Sequence, residues 1–105
     1  MMGVIKVKVK DMATHQLKTW PTYWDAIDQG KKNFEVRRND RAFQTGDVVE
    51  LYRTDGDHIG SLVQMSVEPL RFRIGWLLQG GQFGIEPGYC VFSLLPVTPS
   101  TGGEQ

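Results

Sequence analysis

In this chain of 105 residues, one stretch alone carries a helical apolar period, and most of the other apolar runs are short and alternating. Trp20, Tyr23, Trp24 and Ile27 fall at i, i+3, i+4 and i+7, the spacing of a single helix face. Pro21 suits the first turn, where its missing N–H costs nothing. Gly30 supplies a stop that tolerates left-handed backbone. The spacing predicts a helix over residues 21–29. Residues 4–10 alternate strictly, with Ile5, Val7 and Val9 against Lys6, Lys8 and Lys10, which predicts a half-buried strand with a lysine face. Further strands are expected at 15–20, 31–38, 48–52, 62–67, 70–78 and 89–95. Many short strands with one or two short helices define a mainly β, α+β class. A closed or nearly closed small barrel is favoured, because closure removes exposed strand edges.

The length fits a single domain, expected to span residues 1–95, with a Pro-, Thr-, Ser- and Gly-rich tail at 96–105 expected to be disordered. Formal net charge is zero, so no global field draws in a polyanion. The charge is nonetheless divided: residues 1–41 hold nine Lys/Arg against five Asp/Glu, and the remainder hold three against seven. A polyanion site should therefore use the first half.

Cys90 is the single cysteine, so no internal disulfide can form, which fits a reducing cytoplasm. Its apolar neighbours make it a buried small hydrophobe. His15 and His58 lack zinc spacing, and Asp55 and Asp57 lack the rest of a calcium loop, so no metal is expected. The glycine-rich stretch 79–88 is not followed by the lysine and hydroxyl residue of a phosphate loop, and no cofactor is expected. The apolar runs are too short to span a membrane, and the lysines of the first ten residues fall inside the apolar run rather than before it, unlike a signal peptide.

The densest functional groups lie in Gly30-Lys31-Lys32-Asn33-Phe34-Glu35-Val36-Arg37. Strand parity puts Phe34 and Val36 on one side and Asn33, Glu35 and Arg37 on the other. A bland reading is an exposed Glu35–Arg37 pair of little energetic weight. A functional reading is a ligand clamp, with Trp20 and Trp24 as candidate stacking platforms.

The motif Gly30-x-Lys32-x-x-Glu35-x-Arg37 after a first helix resembles that of ASCH domains, of the PUA-like superfamily. The segments from His15 to Ile27, from Arg38 to Asp47 and from Gly80 to Tyr89 are also similar to a short bacterial and phage ASCH-like group. The resemblance implies a PUA-like barrel with a cleft beside the motif and a role around RNA or modified nucleotides. It implies ligand binding by Lys18, Trp20, Trp24, Lys32, Glu35, Arg37, Gln82, Phe83 and Tyr89. In that reading Lys32 and Arg37 meet phosphates or base edges, and Glu35 accepts from an exocyclic amine. Trp20, Trp24 or Phe83 stacks on a base.

A hydrolase is the alternative, with Lys32 as base or oxyanion stabiliser and Glu35 or Glu86 handling a proton. Some ASCH-like proteins remove the acetyl group of acetylcytidine, and there a threonine stands where this chain has Glu35. The nucleophile-based mechanism therefore lacks its hydroxyl here. A ribonuclease using Lys32 and His15, and a protein-interaction module, are the remaining alternatives.

Overall fold

The computed structural model describes residues 12–97. The strand expected at 4–10, and all but the first two residues of the expected tail, lie outside them. The elements run β1 (Thr14–Thr19), α1 (Pro21–Asp28), β2 (Phe34–Arg38), β3 (Val48–Arg53), β4 (Leu70–Gln79) and β5 (Tyr89–Pro96). They form one curled five-stranded sheet, a half-barrel, in the order β1-β3-β4-β5-β2. The β1–β3 pair is parallel and the other pairs are antiparallel.

Alternation explains β1: His15, Leu17 and Thr19 are buried, and the residues between them face out. The concave side of the sheet is filled by Leu17, Val49, Leu51, Ile74, Phe92 and Leu94, and α1 adds Trp24 and Ile27. The helix stops where Gly30 takes a φ of 77°, a conformation that side chains resist. Its N-terminus is capped from a distance. Asp57 accepts from the Thr22 N–H at 3.0 Å and from the Thr22 hydroxyl. Those contacts hold the Asp57 carboxyl below its ordinary range.

One expectation is corrected. Residues 62–67 form no strand; Val63 makes an isolated bridge to Thr54, and the segment otherwise turns. The strand expected at 70–78 forms as β4, with a break between Ile74 and Leu77, where the ladder to β5 shifts register. Ile74 is buried, but Trp76 is turned outward, with its N–H donated to Ser93 Oγ at 2.8 Å in place of a ladder carbonyl. The sheet curls into the mainly β, barrel-like form expected, and among the described residues β1 and β2 are its two edges.

Candidate functional site

The two edges meet through side chains. In β1 the carbonyls of Gln16 and Lys18 each accept from an arginine rooted outside the strand. Arg41 Nη1 donates to Gln16 O at 3.0 Å, and Arg37 Nη2 donates to Lys18 O at 3.0 Å. Arg37 Nη2 also lies 3.0 Å from Thr19 Oγ1. Guanidinium groups thus satisfy β1 carbonyls that no strand pairs among the described residues.

Register explains why so polar a set faces inward. Glu35 lies opposite Phe92 and Arg37 opposite Cys90, and both of those β5 residues are core. Cross-strand partners share a face, so Glu35 and Arg37 are carried to the core side. Phe34 and Val36 are left half-exposed outside. The parity expected from the sequence holds, with the charged side in and the apolar side out.

A buried carboxylate is costly unless each oxygen has a partner. Glu35 is 4% exposed, and both oxygens are held. Lys32 Nζ donates to Oε1 at 2.7 Å, and Arg37 Nε donates to Oε2 at 2.9 Å. Lys32 also donates to the Phe34 carbonyl at 2.7 Å. The chain folds so locally because Gly30 ends the helix and lets Lys32 reverse toward β2.

Around this knot opens a cleft of about 340 Å³ at the seam. One wall is Lys18, Thr19, Trp20 and Tyr23; the other is Glu35, Val36, Arg37 and Arg38, with Tyr89 at the β5 end. Trp20 and Tyr23 stack at 6.2 Å between ring centroids and 16° between planes, and both are partly exposed. Arg38 lies 5.4 Å from the Tyr89 ring centre. Lys18 Nζ is anchored on the Ser61 carbonyl at 3.2 Å. The cleft so joins aromatic surface to three cations and one neutralised carboxylate.

Of the residues singled out in the sequence, Lys18, Trp20, Glu35, Arg37 and Tyr89 line this cleft, and Lys32 holds it from behind Glu35. Trp24 does not line it. Its ring is in the core and its indole N–H donates to Leu51 O at 2.8 Å. Gln82 and Phe83 are exposed in the 80–88 loop and do not line it either. Gln82 is turned back on the Gln79 carbonyl, and Phe83 takes a left-handed φ of 52° beside Gly84. Glu86 is likewise exposed on that loop, outside the cleft lining. His15 is buried against Asp47, at 2.8 Å, and edge-on to Phe43. The sequence reading did not single out Thr19, Tyr23, Val36 or Arg38 as ligand residues. Tyr23 was legible as an i+3 partner of Trp20; the others depend on which edges meet.

The fold and cleft define a small, mainly β half-barrel with a cationic, aromatic seam site. Residues 14–94 match the family described as Domain of unknown function (DUF3850), and the chain belongs to that family. No curated protein matches it. Among the described residues, no helix is long and apolar enough to cross a membrane.

Proposed function

We propose that the seam cleft binds a nucleotide of single-stranded RNA, plain or base-modified. The observation that carries this reading is the stacked Trp20–Tyr23 pair standing beside Lys18, Arg37 and Arg38 in one concave site. Single-stranded nucleic acid is held by that combination, aromatic faces for bases and cations for phosphates. The finer family reading, an ASCH-type domain of the PUA-like superfamily, is supported by the motif: Lys32, Glu35 and Arg37 are bonded to one another at this site, and a half-barrel is compatible with it. A clamp is favoured over a hydrolase. Both Glu35 oxygens and the Lys32 ammonium are committed to one another, to Arg37 and to the Phe34 carbonyl. A general base must reach the proton it abstracts, and Glu35 is buried beneath its two cationic partners.

The test is fluorescence anisotropy of a short labelled single-stranded RNA across a salt series. Affinity should fall as salt rises. Trp20→Ala should weaken binding by about 1–3 kcal/mol, the contribution of one stacked base. Arg38→Ala should weaken binding and flatten the salt dependence. Salt-independent association, or an unchanged Trp20→Ala, would count against this function.

A further inference from the structure

We propose that the site takes two consecutive nucleotides, so that its ligand is a single-stranded oligonucleotide rather than a free nucleoside or mononucleotide. This rests on the function proposed above and names its substrate class.

The cleft has a second lobe of about 330 Å³, lined by Tyr23, Lys32, Phe34, Glu35 and Val36. Tyr23, Glu35 and Val36 belong to both lobes, so the two adjoin along those residues. Each lobe carries partly exposed aromatic surface of its own, Trp20 and Tyr89 in the first and Phe34 in the second. Each also carries a cation held by a different oxygen of the same carboxylate: Arg37 on Oε2 and Lys32 on Oε1. Lys32 Nζ lies 5.4 Å from the Tyr23 ring centre and 4.8 Å from that of Phe34, joining the shared ring to the second lobe's own.

The repeated unit is thus a ring plus a cation, with Glu35 as the spacer. Ligand pockets span ~300–1,000 Å³, and each lobe alone sits near the floor of that range. Phe34 has no core role to explain it. Register points it away from the interior, and the residue is 43% exposed.

The experiment compares the four ribonucleoside 5′-monophosphates with 5′-phosphorylated ribodinucleotides of the same bases by calorimetry at one salt concentration. The best dinucleotide should bind about tenfold or more tightly than its component mononucleotides, the gain of one further stacked base. Phe34→Ala should reduce that ratio to near one, with thermal melting checking that it folds. Phe34→Trp supplies a second reading: relative to the wild-type protein, which carries Trp20 in the first lobe, dinucleotides should add quenching and mononucleotides should add none. If mononucleotides bind and dinucleotides gain nothing, the second lobe is not a subsite, and the function proposed above survives. If neither binds and longer single strands do not either, that function itself fails and this inference with it.

Discussion

The Arg37 guanidinium donates at 3.0 Å to the backbone oxygen of Lys18, so one side chain spans β2 and β1, the two edges of the sheet among the described residues. The same group holds Glu35 through Nε at 2.9 Å. Seam closure and carboxylate neutralisation are therefore a single event, and the candidate cleft is built on it. A ligand drawn to Arg37 would meet a group already fixed in orientation.

Replacing Arg37 tests that coupling. Arg37→Ala removes the seam bridge and leaves the buried Glu35 with Lys32 alone. Removing one partner of a fully buried pair costs ~3–5 kcal/mol; the surviving Lys32 contact and the partial exposure of Arg37 bring the expected loss to about 2–3 kcal/mol. Arg37→Lys keeps the charge without the planar fork and should recover only part. Urea denaturation at neutral pH measures both. A loss below about 0.5 kcal/mol, the usual size for a surface change, would show that the seam contributes little.

Gly80 makes a second, steric prediction. A Cβ there would lie 2.0 Å from the Glu86 carbonyl oxygen and 2.6 Å from that of Tyr89. Both are backbone atoms, one in the loop that leads into β5 and one at the first residue of β5, and Gly80 N–H donates to Tyr89 O at 2.7 Å. Gly80→Ala should destabilise by about 3 kcal/mol or more, because backbone cannot move aside as a side chain can. Gly81→Ala meets open space but a φ of 89°. It should cost less, about 1–2 kcal/mol from backbone strain. Comparing the two melting curves separates clash from strain.

The pH dependence should carry the mark of Asp47. Burial opposes ionisation of its carboxyl. Hydrogen bonds from His15 and from the Ala13 and Gln44 N–H groups outweigh that cost and hold it below the ordinary carboxylate range. Its folded value lies under its unfolded one, so its contribution is complete above the unfolded value of ~3.9 and is lost as pH falls through the folded value. Unfolding free energy should therefore drop below about pH 4. Asp47→Asn should flatten the drop in that window while lowering stability at neutral pH. An identical acid limb in the variant would remove Asp47 from the account.

Cys90 should be chemically silent in the folded protein. It is fully buried, and burial together with the nearby Asp40 carboxylate raises its thiol above the usual range. A thiol reagent should label it only after denaturant is added. Stoichiometric labelling of the native protein would mean that β5 opens locally.

The chain's own pattern determined its local structure. The Trp20–Ile27 period marked α1, Gly30 marked its end, and residues 15–20 were marked as extended, because those signals act within a few residues. It also marked where the polar knot of the site lies, since Lys32, Glu35 and Arg37 are close in sequence. Which way that knot faces was decided only by tertiary structure. Pairing of Glu35 with Phe92 and of Arg37 with Cys90 turned the charged side of β2 inward and its apolar side outward. The register shift after Ile74 put Trp76 outside, and the long-range cap by Asp57 set the helix entrance. Period-2 alternation states that two faces exist, but the partner strand chooses which of them meets the core. The meeting of β1 and β2, and hence the cleft, depends on how far a five-stranded sheet curls, a property of all its strands together.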